Sequence, residues 1–218
     1  MPRARLLVLG LSAPTLTMIF DNLESCGEFP DVHVVNNLAR VGLEPFAHPR
    51  FSVTVSQEGV HPGGPSDAFL GVNKPASKHA VFTLFDGCGL VFATIVHRSA
   101  AIASTATLGA GVHVNSLVSV AGHTSLGRFV SLNRNVSVGH HALVGEFATV
   151  NPGANLAGFV TIGARTLIGM GVNVLDGVTV GADAVIGAGS LVTRDIPPGV
   201  VACGQPCRIV RENKTAAP

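Results

Sequence analysis

The chain has 218 residues, a formal net charge of +1 and only 12% charged side chains, which excludes a nucleic-acid surface because such a surface needs a basic stripe. Glycines, 26 in number, interrupt the apolar segments, so no run of about 18 apolar residues is available to cross a membrane. The N-terminus lacks a signal-peptide pattern and the four cysteines form no CxxC pair, which favours reduced thiols and a cytoplasmic protein.

The first 93 residues predict a small α/β domain. Strands are predicted at Arg5–Gly10, Asp31–Asn36, Phe51–Val55 and Ala68–Val72, and helices at Pro14–Glu24 and Lys74–Phe85. Strand, helix and strand in this order indicate a parallel sheet. Ligands of such sheets bind at the carboxyl ends of the strands, here around residues 10–12, 36–37 and 71.

The turn from Gly10 to Pro14 has two interpretations. It is not a GxGxxG dinucleotide motif. It either presents a helix N-terminus to a phosphate, or it is a plain strand–helix turn in which Ser12 caps the helix and Pro14 occupies an early helical position.

From Val96 to Val192 every sixth residue is aliphatic without exception. The series is Val96, Ile102, Leu108, Val114, Val120, Leu126, Leu132, Val138, Val144, Val150, Leu156, Ile162, Ile168, Val174, Val180, Ile186 and Val192. Helices repeat near 3.6 residues and strands near 2, so a period of six indicates a parallel β-helix. We predict about five coils of about 18 residues over residues 94–193, followed by a C-terminal cap and tail at 194–218.

Glycine often follows the aliphatic residue, as at Gly109, Gly145, Gly163 and Gly187. We expect these glycines to occupy corners with backbone angles that only glycine adopts cheaply. The flat sides of such a β-helix favour self-association, and a closed cyclic trimer is the predicted assembly.

The repeat contains four histidines that merit attention as reactive groups. His113 and His123 are ten residues apart and His140 and His141 are adjacent, a spacing that does not match a zinc site, so no metal is predicted. His140 follows Gly139, expected to be flexible, at a corner from which its ring points outward. A neutral imidazole there serves as a general base, and the alternative is an ordinary surface histidine.

The segment from Val138 to Ala154, VGHHALVGEFATVNPGA, resembles the signature of the hexapeptide-repeat sugar acetyltransferases. The branch it resembles contains the nucleotide-amino-sugar N-acetyltransferases and the sialic acid O-acetyltransferases. Further similar segments are LGVNK at 70–74, VHRSA at 96–100, GAGS at 187–190 and GQPCRIV at 204–210. The resemblance implies a Rossmann-like N-terminal domain, a left-handed β-helix and a homotrimer with its active site between subunits.

The resemblance also implies roles for individual residues. His140 matches the catalytic base, which deprotonates a sugar amine as it attacks the thioester of acetyl-CoA without a covalent enzyme intermediate. Relatives place an acidic residue directly after that histidine to orient it, and here His141 takes this place in the catalytic pair. The positions matching the acetyl-CoA groove between two subunits are Asn133, Thr149, Gly158, Met170 and Ala188.

The nucleotide part of the substrate is expected on the N-terminal sheet. The matching positions are Ser12, Ala13, Pro14, Asn36, Asn37 and Gly71. The sequence thus predicts an acetyl-CoA-dependent N-acetyltransferase acting on a nucleotide-linked amino sugar, as in polysaccharide biosynthesis. The alternatives are a sugar O-acetyltransferase on the same scaffold and a non-catalytic β-helix that only binds.

Overall fold

A computed structural model describes residues 5–10, 13–29, 31–35, 52–56 and 67–214 of the chain. The first part is a five-stranded parallel sheet with strand order β3-β2-β1-β4-β5. Its strands are β1 (Leu6–Leu9), β2 (Asp31–Val35), β3 (Ser52–Ser56), β4 (Asp67–Leu70) and β5 (Val91–Phe92), and its helices are α1 (Ala13–Cys26) and α2 (Pro75–Phe85). The four predicted strands and two predicted helices are confirmed to within two residues at each end.

The sheet is buried on both faces because a helix packs against each of them. Successive side chains of a strand point to opposite faces. Leu6 and Val8 of β1 pack in one apolar cluster with α1, while Leu7 and Leu9 pack in another with α2. This arrangement explains why β1 is a continuous apolar run rather than an alternating one.

The second part is a parallel β-helix built from two-residue strands. Strands β6 to β22 are, in order, Ile95–Val96, Ala101–Ile102, Thr107–Leu108, His113–Val114, Ser119–Val120, Ser125–Leu126, Ser131–Leu132, Ser137–Val138, Leu143–Val144, Thr149–Val150, Asn155–Leu156, Thr161–Ile162, Leu167–Ile168, Asn173–Val174, Thr179–Val180, Val185–Ile186 and Leu191–Val192. With three strands per coil they make about six turns, where the sequence predicted about five. The predicted aliphatic is the second residue of each strand from β6 onward, and these residues form one continuous core.

Each strand pairs with the strand 18 residues later, which produces three flat faces. The six-stranded face runs from β7 to β22 and the five-stranded face from β8 to β20. The eight-stranded face runs from β6 to β21 and continues into β23 (Val200–Cys203) and β24 (Arg208–Glu212), which close the end of the coil as an antiparallel pair.

Three edges separate the faces, and we name each after one of its residues. The Met170 edge lies between the eight-stranded and six-stranded faces and includes residues 133–136 and 169–172. The His140 edge lies between the six-stranded and five-stranded faces and includes residues 139–142, 157–160 and 175–178. The Phe129 edge lies between the five-stranded and eight-stranded faces.

The expected role of the corner glycines is wrong, since the positive φ angles fall elsewhere. Every sixth residue from Gly111 to Gly189, the third after each aliphatic, has a positive φ, and most of these residues are not glycine. Gly145, directly after its aliphatic, has no such φ; instead a Cβ there would lie 2.5 Å from the backbone nitrogen of Ala164. These glycines are required by the close approach of the next coil.

Helix α1 is joined to the coil by a buried polar contact. The side-chain amide of Asn22 donates to the carbonyl of Val114 at 3.0 Å and to Nε2 of His113 at 2.8 Å. Burial, together with the charge of Lys78, lowers the pKa of His113 to about 3. His113 is therefore a neutral structural residue, consistent with its place under the N-terminal domain.

Helix α2 is joined to the coil by Lys78, which is buried. Its Nζ donates to the carbonyl of Phe129 at 2.8 Å, to Oγ of Ser131 at 3.1 Å and to the carbonyl of Ala148 at 3.0 Å. Burial lowers the pKa of Lys78 well below its ordinary value. Three acceptors compensate for the loss of water around the amine, which is the condition under which a buried lysine is tolerated.

The described residues contain no helix with the length and apolarity needed to span a bilayer. All four cysteines are unpaired.

Candidate active site

His140 and His141 occupy one corner of the His140 edge, and both side chains are exposed. They follow strand β13 (Ser137–Val138), and His141 has a left-handed φ of 57°. A Cβ on Gly139 would lie 2.5 Å from the carbonyl carbon of Ala157 on the next coil, and the N–H of Gly139 donates to the carbonyl of Leu156 at 2.8 Å. A close-packed backbone therefore fixes the point from which the His140 ring projects.

The two imidazoles contact each other through one nitrogen of each ring. Nδ1 of His140 lies 3.2 Å from Nδ1 of His141, and the ring planes are nearly perpendicular at 84°. Because Nδ1 of His140 is engaged within the chain, Nε2 is the nitrogen left to meet a substrate. His141 thus occupies the position at which the sequence resemblance implies an acidic residue.

A ladder of rings holds His141 in position. His123, His141 and Phe159 occupy the same corner position in three successive coils, with ring centroids 4.8 and 4.9 Å apart. Phe159 also meets the ring of His140 edge-on at 5.1 Å. Phe159 is 54% exposed, and this contact gives an exposed aromatic ring a role at the site.

Sequence analysis did not identify Asp176, which lies across from the reactive edge of His140. His140, Gly158 and Asp176 occupy equivalent positions in three successive coils. A Cβ on Gly158 would lie 2.7 Å from Cε1 and 2.9 Å from Nε2 of His140, and 2.8 Å from Oδ1 of Asp176. The imidazole and the carboxylate therefore lie close to each other over the backbone of Gly158.

Two of the residues predicted to bind the cofactor are buried within the chain. The side-chain amide of Asn133 donates to the carbonyl of Val150 at 3.2 Å and to Oδ1 of Asn151 at 3.3 Å. The hydroxyl of Thr149 donates to the carbonyl of Asn73 at 2.6 Å, beneath the N-terminal domain. These hydrogen bonds stabilise the coil and its contact with the domain.

The remaining predicted cofactor residues lie on two different edges. Met170 and Ala188 are exposed, one coil apart, on the Met170 edge, and Met170 is 59% exposed. Gly158 lies on the His140 edge. Because the whole six-stranded face separates the two edges, a single chain does not bring these residues together.

The predicted substrate residues are only partly described. Ser12, Asn36 and Asn37 lie outside the described residues, and Ala13 and Pro14 form the start of α1. Gly71 follows β4 directly, and its N–H donates to the carbonyl of Leu9 at 2.7 Å. A Cβ on Gly71 would lie 2.8 Å from Cγ1 of Val8, so the close approach of β1 and β4 at their carboxyl ends requires glycine.

Within the part of the chain that the structure describes, no three His, Cys, Asp or Glu side chains are grouped to hold a metal ion. The absence of a metal from the site stays a prediction.

Comparison with known proteins gives matches of two kinds. Residues 159–194 match the family described as bacterial transferase hexapeptide (six repeats). PerB from Caulobacter crescentus, solved with CoA and GDP-perosamine, is 26% identical with a TM-score of 0.82, and the match covers 96% of this chain and 98% of PerB. No curated protein gives a significant match.

Two further solved structures share the fold. The acetyltransferase domain of PglB from Neisseria gonorrhoeae, solved with acetyl coenzyme A, is 20% identical with a TM-score of 0.83, over 96% of this chain and 100% of the domain. WeeI from Acinetobacter baumannii is 18% identical with a TM-score of 0.76, over 96% of this chain and 100% of its own. At these identities the two structures show the fold alone, and it is the hexapeptide transferase match and the likeness to PerB that confirm the resemblance to hexapeptide-repeat sugar acetyltransferases.

Proposed function

We propose that this chain transfers the acetyl group of acetyl-CoA to the amine of a nucleotide-linked amino sugar at the His140 edge. The observation that carries the proposal is the orientation of His140, whose Nδ1 is engaged by His141 while its Nε2 has no hydrogen-bond partner among the described residues. The prediction of an acyltransferase is confirmed by the hexapeptide transferase match and by the likeness to PerB, which was solved with CoA. The amino-sugar substrate is proposed from PerB's GDP-perosamine.

The reaction needs one group that accepts a proton and one position that holds the amine. As the amine nitrogen bonds to the thioester carbonyl carbon, Nε2 of His140 takes a proton from that nitrogen. A backbone N–H stabilises the oxyanion of the tetrahedral intermediate. The C–S bond then breaks, and the imidazolium returns its proton to the departing thiolate, so that His140 ends neutral.

His141 acts in this scheme as a positioning residue. When Nδ1 of His140 carries the hydrogen and donates it to Nδ1 of His141, the lone pair of Nε2 is free to accept the substrate proton. The stacked rings of His123 and Phe159 keep His141 in place for that contact. An imidazole thereby takes the orienting role that the sequence resemblance implies for an acidic residue.

The position of the predicted cofactor residues supports an active site shared between copies. We propose a left-handed coil assembled as a homotrimer, in which the His140 edge of one copy meets the Met170 edge of the next and acetyl-CoA lies between them. The outward residues of the six-stranded face are small or polar with one exception: Ala101, Ser119, Ser137, Asn155, Asn173 and Leu191. A flat face of this kind permits close side-by-side packing.

The N-terminal sheet is the proposed site for the nucleotide. Its parallel strands present their carboxyl ends at Gly10 and Gly71, and α1 begins directly beyond β1. We propose a Rossmann-like use of this edge, with the segments at 12–14 and 36–37 completing the pocket.

Replacing His140 tests the proposed chemistry. Release of free CoA thiol is followed with acetyl-CoA and a panel of UDP-, GDP- and dTDP-linked amino sugars. We expect His140→Ala to reduce kcat by about 10²–10⁴-fold, the usual contribution of a general base, with its circular dichroism spectrum unchanged. His79→Asn, which alters a histidine on α2 beside the Phe129 edge, serves as the matched control. Turnover by His140→Ala equal to that of the parent protein would rule the mechanism out.

A further inference from the structure

Asp176 differs from Asp183 and Asp195 in having no hydrogen-bonding or charged partner among the residues that the structure describes. Asp183 is held by two hydrogen bonds from the guanidinium of Arg165, and Asp195 accepts the backbone N–H of Thr179. Asp176 is exposed and makes no hydrogen bond or ion pair with any residue that the structure describes. Its carboxylate is therefore available to a ligand.

The carboxylate is directed at the same point as the reactive nitrogen of His140. Oδ1 of Asp176 and Nε2 of His140 both lie within 2.9 Å of the position that a Cβ of Gly158 would take. Neighbouring coils are about 4.8 Å apart, so the backbones carrying the two side chains are about 10 Å apart. Because both atoms lie so near one point, they are close enough together for a single nitrogen atom of a ligand to contact both.

The two acceptor atoms, Oδ1 of Asp176 and Nε2 of His140, match the hydrogen-bonding groups of a primary amine. A simple alkylammonium has a pKa near that of lysine, about 10.4, and is therefore attracted to a carboxylate at neutral pH, whereas a hydroxyl carries no charge. After the ammonium loses one proton to water, the amine still has two N–H groups, one for Asp176 and one for Nε2 of His140. A hydroxyl has one hydrogen and satisfies only one of the two acceptors.

We infer that Asp176 selects an amine over a hydroxyl as the acetyl acceptor, an inference that rests on the proposed function. The carboxylate binds the incoming ammonium and then orients the amine. Nε2 of His140 takes the second proton as the C–N bond forms and the C–S bond breaks, and that proton passes to the CoA thiolate. One proton is released to water for each ammonium acetylated, and Asp176 is chemically unchanged at the end of the cycle.

Two further imidazole side chains lie near His140. His141 contacts His140 through Nδ1, and His123 stacks on His141. Because these imidazoles lie beside His140, the test compares acceptors rather than pH values.

The experiment uses the full-length protein and two acceptors that differ only at the acceptor carbon, an amino sugar nucleotide and its hydroxyl counterpart. For Asp176→Asn we expect kcat/KM with the amine to fall at least tenfold and kcat/KM with the hydroxyl to change less than threefold. Added salt should weaken amine use in the parent protein and have little effect in the variant, because a charge pair is screened. Glu146→Gln, which removes a carboxylate from the Phe129 edge, is the matched control.

The outcomes separate the two proposals. If the parent protein acetylates the amine and Asp176→Asn loses activity equally with both acceptors, or with neither, Asp176 does not select the amine and the proposed function stands. If the parent protein acetylates only the hydroxyl, or neither acceptor, the proposed function fails as well. Because Asp176 is exposed, the substitution leaves the buried core of the coil untouched, and a melting curve checks this.

Discussion

Gly158 is the residue on which the geometry of the candidate site depends most closely. It lies between His140 and Asp176 on consecutive coils, and its φ is not in the left-handed region. The absence of a side chain, rather than an unusual backbone conformation, is therefore what the site requires at this position. A Cβ on Gly158 would lie between the imidazole of His140 and the carboxylate of Asp176.

Replacing Gly158 by alanine tests this requirement by adding a single methyl group. In Gly158→Ala the new methyl would meet Cε1 of His140 at 2.7 Å and Oδ1 of Asp176 at 2.8 Å, so we expect kcat/KM to fall about 10–100-fold with the fold retained. Gly122→Ala is the matched control, because its methyl, one coil before His140, meets only the hydroxyl of Thr105. Equal activity of the two variants would contradict this account, and steady-state kinetics measures both.

His140 was predicted from the sequence and Asp176 was not, for a physical reason. His140 belongs to a local segment that resembles a known signature. Asp176 is 36 residues away, and its relation to His140 exists only because each coil has 18 residues. The sequence did contain this signal, since the period of six fixes the coil length. Inspecting the residue two coils, or 36 positions, after each candidate would have identified the Asp176 carboxylate.

At the scale of elements, the contact between α1 and β9 (His113–Val114) depends on a neutral histidine. Its imidazole accepts from Asn22 and has a pKa lowered to about 3, mainly by burial. An unfolded histidine has a pKa near 6.5, so between these values the unfolded chain binds a proton that the folded chain does not. The free energy of unfolding therefore decreases as the pH falls below about 6.5.

This coupling predicts a measurable loss of stability in mild acid. Between pH 7 and pH 5 we expect His113 to account for about 2 kcal/mol of lost stability, at up to about 1.4 kcal/mol per pH unit. His113→Gln should remove this part of the pH dependence. The free energy of unfolding of the variant should then vary less with pH and be lower at pH 7. Urea unfolding at a series of pH values measures both curves. If the free energy of unfolding changed with pH in the same way for the parent protein and His113→Gln, His113 would not take up a proton on unfolding.

The elements themselves could be predicted because their patterns are local. The apolar face of α1 and the aliphatic series of the coil are visible in the sequence and fix the position of each element. The role of the corner glycines could not be predicted, because the close approach of Gly145 to Ala164 involves two coils. The left-handed positions accept residues such as Leu117 and Asn135, so residue type alone does not mark them.

At the scale of the whole molecule, the two edges that carry the predicted site residues flank the six-stranded face. The proposed trimer brings these edges together only if that face lies at the contact between copies. The exposed side chain of Ser137, in the middle of the face, is therefore expected at the interface.

A bulky charge on this face tests the assembly. We expect Ser137→Arg to shift the protein from three chain masses to one in sedimentation equilibrium and to abolish acetyl transfer, because an unpaired buried charge is costly and the shared groove is lost. Thr161→Arg, on the five-stranded face, should leave both the mass and the activity unchanged. A parent protein that sediments as a monomer would contradict the proposed trimer.

The buried hydrogen bonds of Asn22, Lys78 and Thr149 have a consequence for how acceptors are distinguished. A hinge motion that lifted the N-terminal sheet from the coil would expose or break all of them, so these hydrogen bonds oppose any change in the distance from the strand ends to each edge. Under the proposed function, an acceptor anchored by its nucleotide must extend its amine across this distance. Molecules with a longer or shorter pyrophosphate or sugar portion would then be discriminated by reach, even when their terminal groups are chemically identical.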